Sequence, residues 1–156
     1  MTAAPSSTAA AFATMTGRDL LQAVIDGQLK GASIADSLTF ELVEVGEGFV
    51  AFEGDTGPHL LNPAGMVHGG WALTLIDSAA GCAAHSTLPA GVGYSTLETK
   101  VNFVRPIAID TGRVRCEGRV INPGRQIITA EGTVKDAAGR LLAHGTSTLM
   151  ILQPRG

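Results

Sequence analysis

The sequence predicts an α+β fold in which a curved antiparallel sheet encloses one central helix. Three observations carry that expectation. The segment from Trp71 to Ser86 is apolar nearly all the way round a helix, with Asp77 as its only formal charge between Trp71 and Ala84, so it must be buried on most sides. Four strand-like runs follow, at about 94–105, 111–121, 126–136 and 140–152. Turn signals at Pro106, at Asn122-Pro123-Gly124 and from Asp136 to Gly139 join them into an antiparallel meander. Ahead of the helix the apolar period changes to two: Leu38, Phe40, Leu42 and Val43 to Val45 read as one strand of a hairpin, Phe49 to Phe52 as the other and Gly46-Glu47-Gly48 as its turn.

The remaining segments fit around this frame. Residues 1–16 are rich in Ala, Ser and Thr with little to bury, and they read as a mobile tail without chemistry. From Gly17 the segment GRDLLQAVIDGQLKG sets Leu20, Leu21, Val24, Ile25 and Leu29 at helical spacing, with Gly31 as its end, giving a short amphipathic helix that packs on something larger. Residues 17–156 are then a single domain. The stretch GDTGPHLLNPAGMVHGG is rich in Gly and Pro, so it is expected to be an irregular loop of the kind that carries function. The second half of the central helix is built of small residues, which lets neighbouring backbones come close. The chain contains no internal repeat.

Composition limits what such a domain can do. At 156 residues one core suffices, and it can bury about 70% of the surface the unfolded chain exposes. A formal charge of −3 without local Lys/Arg clusters argues against a nucleic-acid partner. One or two arginines and backbone N–H groups could still hold a ligand that carries a few phosphates. Cys82 and Cys116 lack any CxxC spacing or neighbouring histidine pair, so they read as buried free thiols, and no metal site is expected. The first sixteen residues lack the basic start of a secretory signal, and no apolar run reaches the roughly 18 residues of a membrane span; the expected location is the cytoplasm.

Asp77 is the most informative residue, because an ionised carboxylate in an apolar helix is costly to bury without partners. It could be a structural acceptor for a neighbouring loop, or a general base or nucleophile in a dry site. His68-Gly69-Gly70 directly precedes the helix, where unsatisfied N–H donors and the positive end of the dipole meet, a good place for an oxyanion. A tight turn at the glycines and an ordinary loop histidine are the plainer alternatives.

The run Asn62-Pro-Ala-Gly-Met-Val-His68-Gly69-Gly70, with Asp77 nine residues after the histidine, resembles the signature of the phenylacetate-pathway (PaaI-like) branch of hotdog-fold acyl-CoA thioesterases. The segment TLETKVNFVRP, residues 96–106, resembles that family's strand, and the similarity runs from about Leu38 to Leu152. The resemblance implies that Asp77 attacks the thioester carbonyl or activates water, and that the Gly69 N–H polarises that carbonyl, with Gly70 beside it. His68 and Asn62 then orient the loop and the thioester. Thr96 matches a hydroxyl that places the water from a neighbouring subunit, and the adjacent Ser95 is a second candidate for that position. Phe103 to Ala108 and Asn122 to Ile127 match the CoA-binding segments, so Phe103, Asn122 and Gly124 belong to the substrate site, with Arg105 and Arg125 as phosphate partners. Some relatives carry a hydroxyl one turn after the acid, where this chain has Gly81. The resemblance further implies a site built between subunits of a dimer or a homotetramer, and no cofactor beyond the CoA of the substrate.

Within the same fold the rival reaction is a hydratase or dehydratase acting on acyl thioesters, which would need a histidine and an acid placed around the acyl chain. From another class the rival is a non-catalytic acyl-CoA-binding module. The sequence sets neither the acyl preference nor the choice between attack by the carboxylate and activation of water, of which water activation is the reading preferred here.

Overall fold

A computed structural model describes residues 8–154. The chain runs through α1 (Thr8–Thr14), α2 (Gly17–Ile25), α3 (Ser33–Ser37), β1 (Phe40–Gly46), β2 (Phe49–Asp55), α4 (Gly69–His85), β3 (Gly93–Phe103), β4 (Arg113–Pro123), β5 (Ile127–Asp136) and β6 (Leu141–Leu152). The strands make one antiparallel sheet in the order β1-β2-β4-β5-β6-β3. Helix α4 touches all six of them. This is the α+β hotdog architecture that the sequence predicts.

Four expectations need correction. The segment expected as a mobile tail is helical from Thr8 onwards: Ala11 is buried, Phe12 lies beside His85, and the Gly91 N–H donates to the Phe12 carbonyl at 2.9 Å. Residues 1–7 of that expected tail lie outside the described residues. Helix α2 stops before Gly31, because Gly27 takes a left-handed backbone (φ 71°) that ends it a turn earlier. Leu38, read from the sequence as part of the first strand, is instead the C-cap of the short helix α3, and β1 starts at Phe40. Finally, the last four strands are not a simple meander: β4, β5 and β6 follow one another, but β3 lies at the sheet edge beside β6, and β4 pairs with β2.

Two glycines make room for the central helix, and a third admits the neighbouring strand: a Cβ at Gly145 would overlap the Lys100 carbonyl of β3. Gly118, Gly132 and Gly145 stand in register across β4, β5 and β6, on the face that carries Cys116, Val134 and Ala143. A side chain at Gly118 would overlap the Ala79 carbonyl, and one at Gly132 would meet Ile76 Cγ2 at 3.1 Å. The absence of Cβ atoms there lets the helix backbone approach the sheet. Leu75, Ile76, Ala79, Ala80, Ala83 and Ala84 are fully buried in the resulting contact. The outer face of β1, β2 and β4 is wet: Arg113 pairs with Glu41, Glu53 and Asp55, and Arg115 with Glu44, Glu53 and Glu117. Among the described residues no helix is long and apolar enough to cross a membrane.

Candidate active site

The loop before α4 is a self-bonded turn. Asn62 Oδ1 accepts the N–H groups of Ala64 and Met66 at 2.9 and 3.1 Å, while the Asn62 N–H donates to the Met66 carbonyl at 2.7 Å. Two further bonds fasten the chain as it approaches the helix: Val67 N–H to the Ile107 carbonyl at 2.9 Å and His68 N–H to the Leu60 carbonyl at 2.7 Å. His68 then caps α4. Its backbone is extended (φ −62°, ψ 133°), and its Nδ1 accepts the Gly70 N–H at 2.9 Å, which places the proton of the neutral ring on Nε2. The Trp71 N–H turns back to the His68 carbonyl at 2.9 Å. Of the donors in this first turn, the Gly69 N–H has no acceptor among the described residues. The ring of Phe103 covers Gly69 closely: a Cβ there would stand 3.0 Å from it.

Asp77 lies two turns further along α4 and is partly buried. The Thr99 hydroxyl donates to its Oδ1 at 3.1 Å, and behind Thr99 stands the Ser147 hydroxyl at 3.0 Å, itself 3.0 Å from the Glu98 carbonyl. No hydrogen bond to Oδ2 occurs among the described residues. Two titratable groups lie within electrostatic reach. Burial, reinforced by the charge of Asp77, pushes the Cys82 thiol up to about 12. Burial likewise pushes the Tyr94 phenol up, with Cys82 and Asp77 adding to the effect. Both are held protonated at neutral pH.

Residues 64–143, just over half of the chain, match the model of the thioesterase superfamily. The chain belongs to that superfamily. Its reaction class is thioester hydrolysis. The conserved protein PA5202 of Pseudomonas aeruginosa is 30% identical over 78% of this chain and 95% of that one, with a TM-score of 0.73. The phenylacetic acid degradation-related protein of Ralstonia eutropha JMP134 is 26% identical over 83% and 98%, with a TM-score of 0.76. The Streptococcus mutans UA159 protein smu.793, solved bound to acetyl-CoA, is 26% identical over 76% and 92%, with a TM-score of 0.68.

The candidate base and the candidate carbonyl-polarising donor stand apart within one copy. Gly69 and Asp77 are eight residues apart on one helix, about 12 Å along its axis at 1.5 Å per residue. The phosphate candidates are also divided. Arg105 follows β3 near the start of α4, with one guanidinium nitrogen bound to the Leu141 carbonyl at 2.7 Å. Arg125 is exposed in the β4–β5 turn beside Gly124, with Asn122 near the end of β4, beyond the other end of α4. There a groove of about 470 Å³ runs between Glu47, Thr87, Leu88, Pro123 and Ile151.

The two hydroxyl candidates fall on opposite faces of β3. Thr96 pairs with the buried Leu149 and faces α4, whereas Ser95 pairs with Met150 on the outer face. The hydroxyl that reaches Asp77 within the chain is that of Thr99, which sequence reasoning missed. Strict alternation would put residues 96 and 99 on opposite faces. A bulge between Thr96 and Glu98 brings both to the helix side, and a local run of residues carries no signal for it.

Proposed function

We infer that this thioesterase hydrolyses an acyl- or aryl-CoA thioester to the free acid and CoA, with Asp77 as the general base. The observation that supports this most is the carboxylate itself: it interrupts an apolar helix, Thr99 ties one oxygen, and the other is unengaged among the described residues. Asp77 takes a proton from water as the water oxygen bonds to the thioester carbon. The Gly69 N–H stabilises the resulting oxyanion, His68 holds the neighbouring Gly70 N–H, and Asn62 holds the loop. Collapse breaks the carbon–sulfur bond, and the leaving thiolate recovers the proton from Asp77. Thr96, facing the helix side of β3, helps to place the water.

The site is completed between copies, because Gly69 of one copy and Asp77 of the same copy are too far apart to share one carbonyl. Strand β3 supports this: eleven residues long at the sheet edge, it has one unpaired row of backbone groups and exposes Leu97 and Phe103, and a second β3 would cover it. A homo-oligomer, dimer or tetramer, follows. The acetyl-CoA held by the Streptococcus mutans protein supports a CoA thioester as substrate. Arg105 and Arg125 are the phosphate partners, with Phe103, Gly70, Asn122 and Gly124 lining the path. The deciding experiment is a hydrolysis screen over aryl, short-chain and long-chain acyl-CoA esters, read as thiol release. Turnover of at least one class is expected; tight binding of every ester without release would replace the enzyme by a binding module.

A further inference from the structure

We propose that Thr99 and Ser147 form a hydroxyl pair that positions Asp77 and sets the acidity at which it stops working as a base; this rests on the reading of Asp77 as the catalytic carboxylate. Neither residue carries chemistry in the mechanism above. Four groups stand in line: Asp77 Oδ1, Thr99 Oγ1, Ser147 Oγ and the Glu98 carbonyl oxygen, at successive separations of 3.1, 3.0 and 3.0 Å.

The number of protons in this line is the decisive quantity. Each hydroxyl owns one, and the two ends, an ionised carboxylate and a carbonyl, own none. Two protons therefore serve three contacts while Asp77 is ionised. If Thr99 donates to Asp77 and Ser147 to Glu98, the two hydroxyl oxygens face each other with no proton between them. Ser147 is fully buried, so bulk water does not reach that contact from its side. A proton on Asp77 Oδ1 completes the line: Asp77 donates to Thr99, Thr99 to Ser147 and Ser147 to Glu98. Only hydroxyl hydrogens need rotate.

Thr99 and Ser147 thus act in opposite senses. Thr99 favours the carboxylate, because a hydrogen bond to a charged acceptor is stronger than one to a neutral acid. Ser147 competes for the Thr99 proton and so favours the acid form. Thr99 also commits Oδ1, which leaves Oδ2 as the oxygen presented to water. The titratable groups beside Asp77 do not blur this balance near neutral pH: Cys82 on α4 and Tyr94 on β3 are both held protonated by burial. Strand β6 offers Ser147 on this side, and the Glu98 side chain is turned to Thr148 Oγ1 at 2.7 Å.

The test is kcat/KM against pH for the full chain and for Thr99→Val, Thr99→Ser, Ser147→Ala and Asp77→Asn, with benzoyl-CoA and hexanoyl-CoA as probes and thermal unfolding as the check on folding. Thr99→Val should lower the plateau roughly tenfold or more, mainly in kcat, and move the acid limb up by about half a unit or more. Thr99→Ser, which keeps the hydroxyl, should recover most of both. Ser147→Ala should move the acid limb down. A purely structural role would not shift the two limbs in opposite directions. If Asp77→Asn keeps wild-type turnover, the assignment of the base fails. If Asp77→Asn is inactive but folded Thr99→Val keeps the wild-type kcat and acid limb, the hydroxyl pair alone is overturned. Should Thr99→Val not fold, Ser147→Ala decides: a limb that stays or rises overturns the proposal.

Discussion

Gly81 on α4 and Tyr94 on β3 share one volume: a Cβ at Gly81 would stand 2.5 Å from the Tyr94 hydroxyl oxygen and 2.8 Å from its ring. The phenol therefore fills the space one turn after Asp77 where some relatives are expected to carry a helix hydroxyl. Gly81→Ala should destabilise the fold by about 1–3 kcal/mol, the usual cost of overpacking a core. Thermal unfolding measures it. Tyr94→Phe in the same chain should recover part of the loss, and strictly additive effects would show that the two residues do not compete for that space.

Asp77→Asn tests the base most directly. The amide keeps the shape but cannot take the proton of water, so kcat should fall by about 10²–10⁴ while the unfolding temperature stays close to wild type. Near-normal thiol release from the folded variant would remove Asp77 from the mechanism.

Gly69→Pro tests the oxyanion donor without touching a side chain, since proline lacks the N–H. The position tolerates it: Gly69 is the first residue of α4, where proline is favoured, and His68 already has the extended backbone that a residue before proline requires. The added Cβ presses on the ring of Phe103 at 3.0 Å, so a control for that contact is needed. Loss of one such donor should cost about 10²–10³ in kcat. Gly69→Ala, which adds the same Cβ and keeps the N–H, should cost far less. Equal losses in the two variants would assign the effect to the Phe103 contact.

The β5–β6 turn provides a pH-dependent test of stability. The buried Asp136 side chain accepts the Arg140 and Ala138 N–H groups at 2.9 and 3.0 Å and the Arg140 Nε at 2.7 Å. The Arg140 backbone N–H, its guanidinium and the Ala138 N–H hold the carboxyl below the usual carboxylate range. A folded value below the unfolded one contributes stability that is present above the unfolded value, near 4, and lost as pH falls through the folded value. Asp136→Asn should therefore lower the unfolding temperature at pH 7, and the gap to wild type should narrow below about pH 4. A gap that is constant with pH would rule out the charge as its source.

Assembly is tested by light scattering at assay concentration. A dimer or larger species is expected, because under the proposed mechanism Gly69 and Asp77 of one copy lie too far apart to act on one carbonyl. A fully active monomer would require a donor other than Gly69.

Much of this protein was legible along the chain. The single charge in an apolar helix singled out Asp77, and the His68-Gly69-Gly70 sequence marked where α4 would begin, because capping and helix periodicity are local properties. The choice of Gly69 over Gly70 came from the family resemblance and not from the local pattern of residues. In the structure it depends on the rotamer that turns His68 Nδ1 onto the Gly70 N–H and leaves the Gly69 N–H unengaged. The helix at Thr8–Thr14 was missed for a related reason: a run of alanine and threonine has little amphipathic pattern, and what holds it is Phe12 against His85 and Gly91, which lie far along the chain.

The sequence by itself determined the six strands, the buried helix and the acid at its centre, since each follows from the period or chemistry of neighbouring residues. The tertiary structure alone decided that β3 leaves the meander to pair with β6, that Gly118 and Gly132 pair beneath α4, and that Thr99 meets Asp77. Alternation along a strand is set by its own residues, but strand order and register are properties of pairs. At Leu97 one residue of β3 is left without a partner on β6, and that mismatch turns Thr99 from the outer face towards the carboxylate.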